Sequence, residues 1–311
     1  MINILLTPDN AFALTTSVLM TSIGINTKSS VHYFFFLPET FTEENKKELR
    51  TTASEFGALI DFITIPDVEL DRFPIRKGDR MPKEAYFRLL ATKYLDEDVH
   101  KIIYLDGDIV VRKPLDELWE TDIDDYALAA CPDMREREIA SIWAPYPAQE
   151  GYYNSGVLLI NVDYWREHNS LALFSFFAKE HRNLVIWHDQ DILNAVFHSK
   201  IKRLSVSYNF QSGFIERDNS EMTEDIASVM RNPAIVHYTV TKPWQGECCN
   251  PMRFAWFYYF KRCPAFKQNS GKLLNDGGEN VRERLRKWLL RNNFLIPGIP
   301  RNYFRPVFIF K

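Results

Sequence analysis

Cysteine is scarce in this chain of 311 residues, and the four present (Cys131, Cys248, Cys249 and Cys263) include no C-x-x-C pair. That argues against a disulfide framework and fits a reducing compartment. No long apolar run suits a bilayer: the uncharged stretch Ala11–Thr27 carries Thr15, Thr16, Ser17, Thr21 and Ser22, too polar for a span. A basic leader is missing as well, since Asp9 follows Met1–Thr7 almost at once, so no secretory signal peptide is expected. Internal repeats and low-complexity linkers are absent. The body carries no net positive charge. Residues 1–278 carry −9, whereas eight Lys/Arg against two Glu give the last 33 residues +6 and the whole chain −3. No nucleic-acid partner is expected, and the location expected is cytoplasmic.

What the chain has, besides a composition of 46% hydrophobic and 25% charged residues typical of a soluble globular protein, is a regular alternation. Ile2–Leu6, Val31–Leu37, Leu59–Ile65 and Ile102–Leu105 are apolar runs of strand length. Helix signals lie between them. One helix is expected from the Pro8-Asp9-Asn10 loop to about Ile25. Thr42 is placed as an N-cap, with Glu43 and Glu44 in the first turn of a helix ending near Gly57, and Pro82 opens a helix through Arg88 to Tyr94. The alternation predicts an α/β fold with a mostly parallel sheet covered on both faces. The pattern then loosens. Strands are expected at Tyr126–Cys131, Val157–Val162 and Ala234–Tyr238, helices over Asp163–Arg182 and Asp189–His198, and a long loop from Pro132 to Asn154. The simplest division is one domain over residues 1–250 and a helical, basic and aromatic extension over 251–311.

The fourth apolar run ends in Asp106-Gly107-Asp108. Residues i and i+2 of an extended segment point to one side. Two carboxylates held that close raise each other's pKa unless a cation lies between them. Such oxygen sites suit Mg²⁺ or Mn²⁺, which commonly bridge a protein to phosphate oxygens, and Gly107 leaves room for a ligand at the backbone. Taken alone, the triplet is equally an Asp/Gly turn closing a strand.

Other polar groups stand at the ends of apolar elements. Asp9-Asn10 follows the first strand, at the edge where open α/β sheets bind ligands, and reads as a nucleotide contact or a helix cap. Asn154-Ser155-Gly156 opens a strand, as pocket lining or as a turn. In His188-Asp189-Gln190-Asp191, Gln190 sits between two acids beside Ile192-Leu193, an odd choice for a simple cap. His237 closes the run Ala234–Val236 and is either a core histidine or a third ligand, which would tilt selection from Mg²⁺ toward Mn²⁺. Lys242, in Lys242-Pro243-Trp244, offers a cation for phosphate.

Read in order, these segments resemble glycosyltransferase family 8, the retaining enzymes of the GT-A fold that include bacterial lipo-oligosaccharide galactosyltransferases. The matching stretches are Ala85–Leu89, Ile103–Val111, Ala129–Asp133, Tyr153–Asn161, Asp189–Asn194 and His237-Tyr238 with Lys242-Pro243-Trp244. The resemblance implies a single Rossmann-like nucleotide-diphospho-sugar transferase domain. It implies a metal site of Asp106, Asp108 and His237, a donor site of Asp9, Asn10, Arg88, Asp106, Asp133, Asn154 and Lys242, and catalytic residues Asp189 and Gln190, with Gln190 nearest the anomeric carbon. Mn²⁺ is the implied cofactor, with Mg²⁺ as the other choice, and the implied partners are a UDP-sugar donor and a saccharide or lipid-linked glycan acceptor. The chain departs from the family pattern twice. Ala11 stands where the family writes Asn, with Asn10 one residue early. Thr239-Val240-Thr241 lacks the glycine usual before Lys-Pro-Trp, so the diphosphate loop is expected to take a different path.

The chemistry implied is expulsion of a nucleoside diphosphate with the anomeric configuration kept. A neutral amide such as Gln190 cannot form a stable ester, which favours front-face attack over double displacement. In the extension, Val281, Leu285, Trp288 and Leu289 share a helix face beside Arg282, Arg286, Lys287 and Arg291. That pattern reads as a peripheral anchor at the inner face of the plasma membrane, or as a helix packed on the acidic body. Two rival functions remain. A haloacid-dehalogenase-like phosphatase would use Asp106 as nucleophile but wants its D-x-D on the first strand. A non-catalytic sugar-nucleotide-binding protein would need neither the metal triad nor Gln190.

Overall fold

The computed structural model describes residues 1–75, 83–136, 138–139, 151–216, 224–244, 248 and 250–265. Pro82, the segment 266–311 with its basic amphipathic pattern, and Cys249 lie outside the described residues.

Seven strands form the main sheet in the order β3-β2-β1-β4-β7-β6-β8. β1 (Ile2–Leu6) pairs in parallel with β2 (Val31–Pro38) and β4 (Lys101–Leu105), and β2 with β3 (Leu59–Ile65). β7 (Tyr153–Asn161) runs antiparallel to both β4 and β6 (Leu128–Pro132), while β8 (Ile201–Arg203) lies parallel to β6. The sheet is thus mixed and mostly parallel. Its strands bury both faces: Ile2, Ile4 and Leu6 point into one apolar cluster with Ile103, Leu105, Val157 and Leu159, whereas Leu5 joins Ile102, Tyr104, Leu158 and Ile160 in the other. Period-two alternation between two buried sides is what the uninterrupted apolar runs require.

A second, small sheet holds β5 (Ile109–Val111), β10 (Ile235–His237) and β9 (Phe210–Gln211). β5 was not expected from the sequence. The chain turns at Asp106-Gly107-Asp108 and continues as a strand of the other sheet, so the triplet is the joint between two sheets. Helix α1 (Ala13–Asn26) packs against β5 and against α2 (Glu43–Glu55). The hydroxyls that made α1 too polar for a membrane are buried inside the domain, and several bond locally, Thr21 to the Ser17 carbonyl at 2.8 Å and Ser22 to the Leu19 carbonyl at 2.6 Å. Ser22 in turn accepts the Val111 N–H at 2.9 Å, stitching the helix to the small sheet.

Three expectations change in detail. The helix expected from Pro82 is a 3₁₀ helix over Lys83–Leu90 with a single α turn, Ala91–Tyr94, after it. Every residue from Glu84 to Leu90 is buried, and tight winding brings the Ala85 carbonyl under the Arg88 side chain, whose Nε donates to it at 2.9 Å. The helix expected over Asp163–Arg182 is broken by Asn169, whose φ of 47° lies in the left-handed region that Asn tolerates, leaving Val162–Glu167 and Ser170–Glu180. Asn154-Ser155-Gly156 lies within β7 and not in a turn before it. The β6–β7 register jumps between Ala130 and Pro132, so residues 154–157 find no partner in β6 and their backbone groups are left to other uses.

The helix Arg253–Phe260 packs on α1, and Met252, Ala255, Trp256, Tyr259, Cys263 and Ala265 share one apolar cluster with Val18, Val110, Phe210 and Val236. The boundary expected at residue 250 falls inside this cluster. Among the described residues no helix is long and apolar enough to cross a membrane.

Candidate active site

β1 and β4 run parallel and adjacent, so the segments after Leu6 and Leu105 leave the same edge of the sheet. At this edge the antiparallel β7 begins where β4 ends: the Asp106 N–H donates to the Gly156 carbonyl at 2.9 Å. From the other side β10 delivers His237, paired in register with Ile109. Two carboxylates and an imidazole from three strands meet there.

Their hydrogen bonds divide the donor atoms. Asp106 Oδ1 accepts from Tyr104 Oη at 2.8 Å and from Arg88 Nη2 at 3.0 Å. Asp108 Oδ2 accepts from Lys242 Nζ. His237 Nδ1 lies 3.0 Å from Asn209 Oδ1. What remains is Asp106 Oδ2, Asp108 Oδ1 and His237 Nε2, with the histidine nitrogen 3.6 Å and 3.2 Å from the two oxygens. The three residues present ligand atoms all within 4.8 Å of one another. Three lone-pair atoms converging this way, each backed by a partner on its far side, fit a divalent cation of the Mn²⁺ or Mg²⁺ kind. Burial opposes the charge on Asp108, but Lys242 and His237 overcome it and hold the carboxyl well below its usual range. Asp106 is the open side, with 27% of its side chain exposed against 12% for Asp108 and 5% for His237, so a ligand reaches the site past Asp106.

Arg88 is the hinge between this group and the next. It is almost fully buried, stacks 3.8 Å over the Tyr104 ring and donates from Nη1 to the Ser155 carbonyl at 2.6 Å. Its Nη2 holds Asp106 at 3.0 Å and its Nε lies 3.2 Å from Asp189 Oδ2. Burial lowers the pKa of the guanidinium, but Asp189, Tyr104 and Asp106 outweigh it and raise the pKa above its ordinary value. Burial pushes Asp189 up to about 6, in spite of Arg88, and its Oδ2 has no hydrogen bond although it is buried. An acceptor atom left in that state suits a ligand hydroxyl.

Asp189 and Gln190 open the helix His188–Phe197. His188 adopts φ 52° there, a strained value costing about 1–2 kcal/mol. Asp191 compensates: its Oδ2 accepts the Ile186 and Trp187 N–H groups at 2.6 and 2.7 Å, and its Oδ1 accepts Tyr152 Oη at 2.6 Å. Asn194 binds both backbone groups of Tyr153, each at 2.8 Å. The polar run therefore splits, with Asp191 and Asn194 fastening the helix while Asp189 and Gln190 face the site. Gln190 accepts the Ser155 N–H at Oε1 (3.0 Å) and donates from Nε2 to Asp133 (3.2 Å), and Asn154 Nδ2 bridges Asp133 and Gln190 at 3.0 and 3.1 Å.

The structure thus joins Arg88, Asp106, Asp108, Asp133, Asn154, Asp189, Gln190, His237 and Lys242 in one network. Asp9 lies beside it after β1 but uses its carboxylate to cap the Phe12 N–H at 2.9 Å. Asn10 is turned away: its amide bonds the Thr40 carbonyl at 2.8 Å, the Thr42 N–H at 3.0 Å and the Asn45 side chain at 2.8 Å. Trp244 meets Phe12 edge-on at 6.3 Å, closing the gap between the Lys-Pro-Trp segment and the turn after β1. Sequence reasoning missed Tyr104, Asn209 and Gln211. The last binds the Met134 N–H and the Pro132 carbonyl, each at 2.8 Å, and so holds the Asp133 turn.

A Rossmann-like half-sheet, a second small sheet, and a D-x-D joint completed by a distant histidine together define a glycosyltransferase of the GT-A type. Comparison with known proteins agrees. The sequence model of "Glycosyl transferase family 8" matches residues 3–248, and the chain belongs to that family. It is 29% identical over 274 residues to a Haemophilus influenzae protein assigned provisionally as a glycosyltransferase, covering 88% of this chain and 77% of that one. It is 26% identical over 245 residues to the lipopolysaccharide 1,2-glucosyltransferase of Escherichia coli, covering 76% and 71%. Its fold matches the crystal structure of the galactosyltransferase LgtC with donor and acceptor sugar analogues at TM-score 0.73 and 24% identity, over 85% of this chain and 96% of that one. The protein is a glycosyltransferase, and the phosphatase and binding-module readings have no support left.

Proposed function

We propose that the enzyme transfers a hexose, galactose or glucose, from a UDP-sugar to a saccharide or lipid-linked saccharide, with retention of anomeric configuration. The observation that carries this reading is the unbroken network from Asp106, Asp108 and His237 through Arg88 to Asp189, Gln190, Asn154 and Asp133. Asp106 Oδ2, Asp108 Oδ1 and His237 Nε2 would hold Mn²⁺, or Mg²⁺ in its place, which when bound supplies Lewis-acid stabilisation to a leaving diphosphate. Lys242, now on Asp108, is within reach of the same charge and adds a fixed cation. Asp189 and the Asp133–Asn154–Gln190 cluster bind and orient the sugar hydroxyls.

Gln190 is a neutral amide committed to Ser155 and Asp133, and Asp189 is an acid held against Arg88. Neither is arranged as a nucleophile. That supports front-face attack, with the departing diphosphate taking the acceptor's proton. A covalent glycosyl adduct on Asp189 or Gln190, found by mass spectrometry of the enzyme with its donor, would sink the idea. The kinship to a lipopolysaccharide enzyme and the basic residues after 278 support a lipid-linked acceptor at an anionic membrane. Removal of residues 279–311 is expected to abolish sedimentation with anionic vesicles, and unchanged sedimentation refutes that role. The function itself is tested with a panel of UDP-sugars and Mn²⁺, scoring slow donor hydrolysis so that no acceptor is needed. One hexose donor is expected to turn over, and Asp106→Asn or Asp108→Asn to abolish it; full activity in either variant refutes the metal assignment.

A further inference from the structure

We propose that Asn209 is a positioning residue that holds the His237 imidazole with its proton on Nδ1 and thereby presents Nε2 to the metal, while tying that ring to the amides around the donor sugar. The proposal rests on the reading of Asp106, Asp108 and His237 as metal ligands.

Two backbone groups at the start of β7 can only donate. The Gly156 N–H meets Asn154 at 3.0 Å and the Ser155 N–H meets Gln190 at 3.0 Å. The atoms they touch must be the amide oxygens, so Asn154 Oδ1 and Gln190 Oε1 are assigned by covalent structure. Asn154 Oδ1 also lies 2.8 Å from the amide of Asn209. An oxygen there would face an oxygen, so that end of Asn209 is Nδ2. Its other end is then Oδ1, 3.0 Å from His237 Nδ1. An amide oxygen only accepts; His237 Nδ1 must therefore carry the hydrogen. A neutral imidazole has one N–H, which leaves Nε2 as a lone pair, 3.2 Å from Asp108 Oδ1 and 3.6 Å from Asp106 Oδ2. In that neutral form three lone pairs are aimed at one another, and they repel unless a positive charge lies among them, either a metal ion or, without one, a second ring proton on Nε2 facing Asp108.

Asn209 has no solvent exposure and both its amide atoms are used. It stands at the end of the 3₁₀ helix Val206–Asn209, directly before β9. A wholly buried amide is costly unless each of its groups is bonded, and here each bond serves a different half of the site. Histidine ligands generally donate their second ring N–H to a carbonyl or carboxylate, and loss of that partner weakens the metal about 10–100-fold. Here the partner is itself aligned by Asn154 and hence by the backbone of β7, so the ring orientation and the sugar cluster share one origin.

The test uses the full chain with Co²⁺, whose visible absorption and hyperfine-shifted proton signals report imidazole ligation. Wild type is expected to bind Co²⁺ and to show one slowly exchanging imidazole N–H. Asn209→Leu keeps the volume but has no acceptor; it is expected to bind about 10–100-fold more weakly and to lose the N–H signal to exchange. Asn209→Ala takes its place if Asn209→Leu does not fold. Asn209→Asp keeps an acceptor for Nδ1–H but sets an oxygen against Asn154 Oδ1, and is expected to keep the N–H signal and to bind Co²⁺ more tightly than Asn209→Leu. A structural role alone would damage Asn209→Asp as much as Asn209→Leu, and that equality overturns the proposal. So does wild-type binding by Asn209→Leu. If wild type itself binds no Co²⁺, the metal reading of the site fails and the proposal fails with it.

Discussion

One added methyl group probes the metal reading closely. A Cβ placed on Gly156 would lie 2.2 Å from His237 Cε1, 2.7 Å from His237 Nδ1 and 2.7 Å from Asp106 Oδ2. Contacts that short force a displacement, and neither neighbour yields freely. Asp106 is held by Tyr104 and Arg88, and the His237 ring is held by Asn209. Gly156 itself is bound to the sheet, because its carbonyl accepts the Asp106 N–H. Overpacking a tight site costs about 1–3 kcal/mol, and each kcal/mol lowers Tm by roughly 2–4 °C in a chain of this order. Gly156→Ala is therefore expected to melt several degrees lower. The larger effect falls on the ligands. Ring and carboxylate must separate from the methyl and so lose their convergence, and Mn²⁺ affinity is expected to fall about 10–100-fold, as for a lost supporting partner. The assay is a titration of free Mn²⁺ by electron paramagnetic resonance against folded protein, alongside thermal melts of the metal-free forms. A Gly156→Ala protein with wild-type Tm and wild-type Mn²⁺ affinity would refute both the geometry and its reading as a metal site.

Asp189 sets a pH dependence whose sign follows from burial. Its pKa is raised from 3.8 to about 6 in the folded protein, so its contribution is fully present below about pH 4 and is lost as pH rises through 6. The full loss is about 3 kcal/mol. Chemical denaturation of metal-free protein is expected to show wild type losing stability relative to Asp189→Asn between pH 4 and 7, and parallel profiles would count against the burial argument. Arg88→Met leaves Asp189 buried without its cation and is expected to cost about 3–5 kcal/mol in urea unfolding. The double variant Arg88→Met with Asp189→Asn is expected to recover part of that, whereas simple additivity would show that the pair is not coupled.

Much of this architecture is readable in the chain because apolar runs and strand ends are strong signals. Ile102–Leu105 followed by Asp106-Gly107-Asp108 shows a buried strand delivering charge to its end. The six ordered stretches bring His237 and Lys242 to that charge, although no local pattern links residues 130 positions apart. Asn154-Ser155-Gly156 reads equally as pocket lining or as a turn, because polar residues before an apolar run suit both; here they lie inside β7, without a partner in β6. Tyr104 was hidden by its surroundings, since an aromatic in an apolar run is expected in a core, and its hydroxyl's bond to Asp106 leaves no trace in sequence. Asn209 was invisible for a different reason. It ends a one-turn 3₁₀ helix directly before a two-residue strand, elements too short to carry any periodicity. Asp9 and Asn10 show the reverse: polar residues at a strand end, of which only Asp9 matches the family position, have side chains engaged in capping α1's approach and in holding the segment before α2.

β7 enters this site by its beginning, against the direction of β4, and the register jump beside it leaves two N–H groups of a rigid strand facing Gln190 and Asn154. The orientation of the Gln190 and Asn154 amides is thus inherited from the sheet, among the slowest parts of a protein to open. Loop motions in proteins take nanoseconds to microseconds, much faster than a sheet opens. Alignment of the two amides is tied to the slower of these motions, because their oxygens are fixed by the Ser155 and Gly156 N–H groups of β7.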